Sequence, residues 1–406
     1  MKYILLIGDG MGDVPLERLA GRTPLEAAST PFMDRLARGG ELLTVRTVPR
    51  GYPPGSDVAN LSLLGYEPEL YYTGRAPLEA ASMGVRLGPD DLAFRCNLVT
   101  VERGADGSLV MIDYSAGHIS TPESHRLVRA IAEACASDRV RFHAGVSYRH
   151  LLVHRGGLEG LRTVPPHDHL DQDVTAFYRE YARFPHLARV VDRAAEVLAG
   201  HPVNRDRCRR GERPANFIWL WGEGKSPAME PMRQRYGIGG SLISAVDLLK
   251  GLAVCLGLRV VEVEGATGYL DTNYAGKAAA ALAALAGDDL VVVHVEAPDE
   301  AGHQGSLEDK VRAIEDFDAR IVGPILTGME ERREPFRLVV TMDHYTPLER
   351  RTHESWPVPL VLYDSRGVAR PSGRPYSEAE VAAAVERGGP ALESGPEFFH
   401  RFLGRS

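Results

Sequence analysis

The sequence is poor in cysteine and has no long hydrophobic run. Its 406 residues include four cysteines, none of them paired as C-x-x-C, at positions 96, 135, 208 and 255. This spacing argues against a disulfide framework or a cysteine zinc site and favours reduced thiols. The apolar run at residues 3–7 is too short for the core of a signal peptide or for a membrane span. We therefore expect a cytoplasmic protein with no membrane partner.

An excess of basic residues is also missing. The formal net charge is −8, with a hydrophobic fraction of 44% and a charged fraction of 25%. Proteins that bind nucleic acid usually present a basic face, so we expect no nucleic-acid partner. The composition is that of an ordinary globular protein, and the length predicts two or three domains.

Two glycine-rich segments resemble nucleotide-binding motifs, but both are incomplete. Gly8-Asp-Gly-Met-Gly12 follows a predicted strand, yet the last glycine of G-x-G-x-x-G would fall on Asp13. Gly224-Lys-Ser226 resembles the end of a P-loop, but Trp219 stands where the first glycine of that motif belongs. We therefore expect no nucleotide cofactor.

Apolar runs alternate with helical patterns in the first and last parts of the chain. Strands are predicted over residues 3–7, 289–295, 336–342 and 358–363, and helices over residues 277–285 and 307–326. This alternation predicts an α/β fold with a mainly parallel sheet flanked by helices.

The middle of the chain has short strand and helix patterns of its own. Turn residues bound it at Tyr72-Thr-Gly-Arg75 and at Arg210-Gly-Glu-Arg-Pro214. We predict a smaller α+β cap domain at residues 74–213, inserted into a main domain formed by residues 1–73 and 214–406.

Three carboxylates follow predicted strands: Asp9, Asp299 and Asp343. A single aspartate there is commonly a helix cap, but the carboxyl ends of parallel strands meet at one crevice, so the three are expected to converge. Carboxylates brought together repel one another unless cations neutralise them. The same loops carry His303, His344 and His353, and a mixed nitrogen and oxygen ligand set suits Mn²⁺, Zn²⁺ or Co²⁺ better than Mg²⁺ alone.

Ser56 lies in Pro53-Pro-Gly-Ser-Asp57, directly before an apolar periodic segment. It is therefore predicted at a helix N-terminus, where its hydroxyl could serve simply as the N-cap. The same position suits a nucleophile, because backbone N–H groups and the positive end of the helix dipole stabilise a phosphate attached there. A metal ion in contact with the hydroxyl oxygen would lower its pKa.

These residues resemble the alkaline phosphatase superfamily and, more closely, the archaeal-type cofactor-independent phosphoglycerate mutases. The resemblance extends over nearly the whole chain. It is carried by Asp9, Ser56, the D-E-A-G-H block at residues 299–303, Asp343-His344 and His353, and by longer blocks at residues 148–153, 219–225 and 265–274.

The resemblance implies an alkaline phosphatase-like main domain with two divalent metal ions, manganese above all, with Mg, Zn or Co as alternatives. One ion would be held by Asp299, His303 and His353, and the other by Asp9, Ser56, Asp343 and His344. Lys225 would act beside the phosphoryl group, and His118 and Arg149 of the inserted domain would bind substrate. An arginine is expected at position 118 in many archaeal relatives, so His118 leaves the identity of the substrate open.

The implied reaction is the glycolytic and gluconeogenic interconversion of 3-phosphoglycerate and 2-phosphoglycerate through a phosphoserine on Ser56, with closure of the inserted domain to exclude water. The substrate would be a small phosphorylated carboxylic acid. Transfer of the phosphoryl group to homoserine, hydrolysis of phosphomonoesters, and a non-catalytic metal-binding role are the alternatives. The sequence predicts no oligomeric state.

Overall fold

A computed structural model describes residues 1–135, 137–156, 158, 160–367 and 370–405. The chain divides into unit 1, which contains Met1–Tyr72 and Ala228–Ser406, and unit 2, which contains Thr73–Pro227. The sequence prediction had ended the inserted segment at residue 213. In the structure the strand Phe217–Gly224 pairs with the strand Asp91–Arg103 of unit 2, so that unit extends beyond residue 213.

The first segment of unit 1 begins with a buried strand and continues through short helices. Its elements are β1 (Lys2–Gly8), α1 (Pro24–Ala27), α2 (Pro31–Gly39), β2 (Glu41–Val45), α3 (Ser56–Leu63) and α4 (Pro68–Tyr71).

Unit 2 contains antiparallel strands and helices. Its elements are α5 (Arg75–Ser82), β3 (Asp91–Arg103), β4 (Leu109–Asp113), α6 (Thr121–Cys135), β5 (Val140–His143), β6 (Arg149–Arg155), α7 (Thr175–Ala182), α8 (Pro185–Gly200), α9 (Pro202–Arg209) and β7 (Phe217–Gly224). The long strand β3 pairs with β4, β6 and β7, and β5 pairs with β6. Large apolar side chains of this sheet and of α6 and α8, Trp219 among them, form the core of the unit.

The second segment of unit 1 completes the main sheet. Its elements are α10 (Met232–Tyr236), β8 (Gly240–Ile243), α11 (Asp247–Cys255), β9 (Arg259–Val260), α12 (Tyr274–Ala284), β10 (Leu290–Val295), α13 (Ala297–Gln304), α14 (Leu307–Phe317), α15 (Gly323–Arg332), β11 (Phe336–Thr341), β12 (Val358–Asp364), α16 (Glu378–Glu386), β13 (Ala391–Leu392) and α17 (Gly395–Leu403).

The main sheet has the strand order β13-β2-β12-β11-β1-β10-β8-β9. Strand β12 runs antiparallel to both its neighbours, and the remaining pairs are parallel. The three central strands β11, β1 and β10 are almost completely buried, as expected for a sheet covered by helices on both faces. The predicted α/β fold is confirmed, and each of the four predicted strands is present with its ends displaced by no more than one residue.

One predicted helix is divided. The pattern over residues 307–326 becomes α14 and α15, joined by a π-helical turn at Asp318–Val322. The carboxylate of Asp318 accepts hydrogen bonds from the backbone N–H groups of Phe32 and Met33 in the first turn of α2. The buried side chain of Asp318 thus caps a neighbouring helix.

Within the described part of the chain, no helix combines the length and the apolar character needed to cross a membrane.

Candidate metal centre

The register of the central strands brings the predicted carboxylates to one level. Ile7 lies opposite Thr341 on β11 and opposite His294 on β10. Two residues further along each strand, Asp9 and Asp343 therefore leave the sheet side by side. Nε2 of His294 lies 3.0 Å from Oδ2 of Asp9. These three side chains, called here the Asp9 group, offer ligand atoms that all lie within 4.8 Å of one another.

The charges of the Asp9 group are poorly compensated. Burial raises the pKa of Asp9 well above its usual value, and the carboxylates of Asp343 and Asp299 raise it further. Burial lowers the pKa of His294 to about 4, so its imidazole is neutral at neutral pH. Among the residues that the structure describes, Oδ1 of Asp9 and Nε2 of His294 are buried and have no hydrogen-bond partner. Lone pairs of this kind fit a divalent cation, which would supply the missing positive charge.

A second set, called here the Asp299 group, consists of Asp299, His344 and His353, whose ligand atoms also lie within 4.8 Å of one another. Asp299 and His303 occupy successive turns of α13, as the four-residue spacing predicts, with Nε2 of His303 3.2 Å from Oδ2 of Asp299. Nε2 of His353 lies 3.5 Å from Oδ1 of Asp299 and 2.9 Å from Nε2 of His303.

Hydrogen bonds between Asp299 and the neighbouring histidines shift the pKa values of these side chains. The hydrogen bond with Asp299, which outweighs burial, raises the pKa of His303 to about 9. Burial alone would raise the pKa of Asp299, but hydrogen bonds from His303 and His353 hold it well below its usual value. One buried carboxylate surrounded by three imidazoles is an N/O donor set suited to a transition metal ion.

His344 joins the two groups. Its Nε2 lies 3.5 Å from Oδ1 of Asp9 and 3.5 Å from Oδ2 of Asp343, while its ring lies 4.0 Å from that of His353. The sequence prediction assigned His344 to the same ion as Asp9, whereas the geometric grouping also places it with Asp299 and His353. How the ligands divide between two ions stays a prediction.

Ser56 lies beside both groups. Gly55 is the N-cap of α3 and Ser56 is the first helical residue, so the alternative in which Ser56 is the N-cap does not hold. The Oγ of Ser56 lies 3.1 Å from Nε2 of His344. Asn60, one turn later, donates through Nδ2 to the carbonyl of Ser56 and to Oδ2 of Asp343. The side chain of Asn60 therefore connects the position of Ser56 to that of a candidate ligand.

Sequence reasoning missed His294, Asn60 and Thr346. A histidine inside the apolar strand β10 was read as part of the strand, although a buried imidazole in such a run is itself a signal. The hydroxyl of Thr346 donates to Oδ1 of Asp299 and lies 3.3 Å from Nδ1 of His344. A Cβ at Gly10, where φ is +57°, would lie 2.5 Å from this hydroxyl oxygen, so only glycine lets the loop approach so closely.

Two predicted substrate residues of unit 2 flank Tyr148. The ring of His118 lies 6.2 Å from that of Tyr148, and the guanidinium of Arg149 lies 5.6 Å from it. His118 has a φ of +50°, as does Ala116, which is a costly conformation for residues with a side chain. The carboxylate of Asp113 holds this loop by accepting hydrogen bonds from the backbone of Ser115 and Gly117.

Lys225, predicted in the main domain, belongs to unit 2. It is exposed directly after β7, and its carbonyl accepts a hydrogen bond from Oγ1 of Thr73. Arg95 was not predicted. Its guanidinium lies 4.2 Å from the ring of Trp221, and its Nε lies 3.0 Å from Oε2 of Glu79. Nε of Arg75 lies 3.7 Å from Oε1 of the same carboxylate. Two guanidinium groups thus share one carboxylate, which favours binding of a further anion.

Comparison with known proteins identifies the family. A family model described as 2,3-bisphosphoglycerate-independent phosphoglycerate mutase matches residues 37–204. A Geobacter sulfurreducens protein named as a probable enzyme of this kind is 51% identical over 405 residues, which is 100% of each chain. A Methanosarcina acetivorans protein of the same name is 50% identical over 382 residues, 94% of each chain.

Solved structures agree with these sequence matches. A Pyrococcus horikoshii protein has a TM-score of 0.80 at 30% identity, covering 100% of this chain and 98% of its own. A cofactor-independent phosphoglycerate mutase from Thermoplasma acidophilum has a TM-score of 0.66 at 28% identity, covering 100% and 99%. The predicted resemblance is confirmed, and the chain belongs to the family of 2,3-bisphosphoglycerate-independent phosphoglycerate mutases.

Proposed function

We propose that this chain interconverts 3-phosphoglycerate and 2-phosphoglycerate and that Ser56 carries the phosphoryl group between the two positions. The observation that carries the proposal is the place of the Ser56 hydroxyl, 3.1 Å from His344, the residue that joins the Asp9 group to the Asp299 group. The two relatives that are named for this activity match this chain over 100% and 94% of their own length. Reduced cysteines at all four positions are compatible with the cytoplasm, where we place the reaction.

Two divalent ions, manganese above all, are proposed as the cofactors, without a nucleotide. Their ligands would come from the predicted residues together with His294: Asp9, Ser56, Asp299, His303, Asp343, His344 and His353. When bound, such ions neutralise the charge that develops on the phosphoryl oxygens and on the attacking and leaving oxygens.

The covalent steps balance without a further reactant. The Oγ of Ser56 forms a bond to phosphorus as the bond between phosphorus and the C3 oxygen of the substrate breaks. The hydroxyl on C2 of glycerate then attacks the phosphoserine, and the Ser56–phosphorus bond breaks. Across the two steps the C3 oxygen gains the proton that the C2 oxygen loses, so Ser56 returns to its original state.

The start of α3 favours a phosphate on Ser56. Because Ser56 is the first helical residue, the N–H groups of the first turn lie at the base of its side chain, and the positive end of the helix dipole is directed toward it. The side-chain amide of Asn60 fixes the backbone of Ser56 by donating a hydrogen bond to the Ser56 carbonyl. These contacts hold the nucleophile in one place while the substrate changes position.

His118 and Arg149 are proposed to bind the carboxylate or phosphoryl group of the substrate, and Lys225 to act on the phosphoryl group. The conformation of His118 supports a functional role, because a residue held at φ +50° costs free energy that the neighbouring contacts of Asp113 must offset. Arg149 suits an anion because a guanidinium can bind it through two parallel hydrogen bonds.

The test is an assay of the purified chain with Mn²⁺ and 3-phosphoglycerate. We expect 2-phosphoglycerate to form without release of inorganic phosphate. A second reaction offers homoserine with a phosphoryl donor. Release of phosphate without isomerisation would show a phosphomonoester hydrolase, and phosphorylation of homoserine alone would show the related phosphotransferase. Either result would contradict the proposed function.

A further inference from the structure

A lysine is completely buried beneath the candidate metal centre. Lys310 lies on α14 with none of its surface exposed, and its Nζ donates to three acceptors. These are the carbonyl of Gly12 at 3.0 Å, Oδ2 of Asp13 at 2.9 Å and the carbonyl of Thr346 at 2.7 Å. An ammonium group has three N–H donors, so each of them is used. We call this arrangement of Lys310, Asp13 and the two carbonyls the Lys310 clamp.

The clamp joins the two loops that carry Asp9 and Asp343, two of the three members of the Asp9 group. Gly12 and Asp13 belong to the loop after β1, which begins with Asp9, and Thr346 belongs to the loop after β11, which begins with Met342 and contains Asp343 and His344. Asp13 strengthens the connection, because its carboxylate also accepts hydrogen bonds from the backbone of Val14 and Leu348. The ammonium group therefore adds hydrogen bonds to both loops, beside the direct bond between the backbone N–H of Thr346 and the carbonyl of Gly12.

The clamp also reaches the Asp299 group through Thr346. While its carbonyl accepts from Lys310, the hydroxyl of Thr346 donates to Asp299 and lies 3.3 Å from Nδ1 of His344. Helix α13 lies so close that a Cβ at Gly302 would be 2.6 Å from the carbonyl oxygen of Thr346. The loop after β1, the loop after β11 and helix α13 all carry candidate ligands. They meet at Thr346, whose carbonyl accepts a hydrogen bond from Lys310.

Stability alone does not explain a lysine at this position. A buried ion pair is often no more stabilising than apolar side chains of similar volume, because removing both charges from water is costly. What an ammonium group supplies, and an apolar side chain cannot, is fixed hydrogen bonds to two carbonyls on separate loops. Groups that orient metal ligands from behind commonly change metal affinity when they are substituted.

We infer that Lys310 is a positioning residue for the metal centre, which holds the loops after β1 and β11 together from below and, through Thr346, supports the orientation of Asp299 and His344. This inference rests on the metal sites of the proposed function. It does not depend on which reaction the centre catalyses.

The test measures Mn²⁺ binding to the metal-free full-length chain by calorimetry. In the double variant Lys310→Met with Asp13→Asn, both charges of the pair are removed together, so no buried charge is left unpaired, and the melting temperature of the metal-free protein is compared with that of the control below. We expect the Kd of this double variant for Mn²⁺ to rise by about 10- to 100-fold. The variant Lys310→Gln with Asp13→Asn keeps an amide donor for the two carbonyls. Its Kd for Mn²⁺ should lie between that of Lys310→Met with Asp13→Asn and that of the wild type.

The control is a second ion pair in unit 1. Nε of Arg337 lies 2.8 Å from Oδ2 of Asp364. Arg337 is near the start of β11 and Asp364 is at the end of the antiparallel strand β12, so this pair lies at the opposite end of β11 from Asp343. Arg337→Met with Asp364→Asn should leave the Kd for Mn²⁺ within about twofold of the wild type, since it touches none of the outer groups that orient the ligands.

Equal Mn²⁺ affinities in the wild type and in both Lys310 variants would overturn the positioning role. A fall in affinity that matches the fall in the Arg337 control would also overturn it, because the effect would then be a general loss of stability. A wild-type chain that binds Mn²⁺ in a Lys310-dependent way but does not isomerise phosphoglycerate would contradict the proposed function and leave the positioning role intact.

Discussion

The hydroxyl of Ser56 and the imidazole of His344 face each other across 3.1 Å, although 288 residues separate them in the sequence. Helix α3 presents the hydroxyl, and the loop after β11 presents the imidazole. Because His344 also lies 3.5 Å from Asp9 and from Asp343, the proposed nucleophile lies at the junction of the two candidate ligand groups.

Ser56→Ala is expected to reduce turnover by roughly 10⁴-fold or more, since the proposed covalent step has no other hydroxyl at this position. The rate at which 2-phosphoglycerate forms from 3-phosphoglycerate measures this turnover. Ser365→Ala is the matched control, because that hydroxyl oxygen accepts a hydrogen bond from the backbone of Phe336 at the far edge of the sheet. Turnover in Ser56→Ala equal to that of the control would exclude a covalent role for Ser56.

His294→Gln is expected to weaken Mn²⁺ binding by at least about tenfold, because it removes a neutral, buried imidazole nitrogen that would ligate the ion beside Asp9. Metal content after dialysis, together with calorimetry, gives the affinity and the stoichiometry. His400→Gln, at an exposed position on α17, should bind metal as the wild type does. Unchanged binding in His294→Gln would remove this residue from the ligand set.

Thr346→Val is expected to lower Mn²⁺ affinity or kcat by about 10-fold or more, because valine keeps the shape of threonine but cannot donate to Asp299. Thr346→Ser keeps the hydroxyl and should recover most of the loss. Comparison of the two variants separates the hydrogen bond from packing. Wild-type affinity and kcat in Thr346→Val, or a loss in Thr346→Ser as large as that in Thr346→Val, would contradict the orienting role of the hydroxyl.

Glu378 predicts a dependence of stability on pH. Burial raises its pKa from 4.5 to about 7, while its carboxylate accepts from the hydroxyl of Thr23 and the backbone of Asp13. The folded state therefore holds a proton that the unfolded state releases near pH 4.5. This contribution to the free energy of unfolding is fully present below pH 4.5 and is lost as the pH rises through about 7.

Glu378→Gln should remove this dependence. Relative to the wild type, the variant should gain on the order of 1–3 kcal/mol in the free energy of unfolding between pH 5 and pH 8. Urea unfolding of the metal-free protein at several pH values measures the difference. The control is Glu386→Gln, at an exposed position on the same helix, which should follow the wild type. Parallel curves for Glu378→Gln and the wild type would refute the assignment.

The features predictable from the sequence are those that follow from local patterns. Apolar runs identified β1, β10, β11 and β12, and the rule that parallel strands end at one edge brought Asp9, Asp299 and Asp343 together. The placement of Asp299 and His303 on one face of a helix also followed from their four-residue spacing and the helical period.

What the sequence could not supply depends on tertiary contacts. His294 looked like part of a buried strand until the register placed it opposite Ile7, two residues before Asp9. Lys310 lies in the helix predicted over residues 307–326, and only the contacts with the loops after β1 and β11 show why its side chain is buried. The end of unit 2 depended on the pairing of β7 with β3, which no local pattern encodes.

The most direct test of the central claim is capture of the phosphoserine. The purified protein with Mn²⁺ is mixed with 3-phosphoglycerate, quenched in acid within the first turnovers and digested for mass spectrometry. We predict one phosphoryl group on the peptide that contains Ser56, and none on that peptide in Ser56→Ala. Isomerisation at full rate with Ser56 unmodified, or with the phosphoryl group on another residue, would contradict the account.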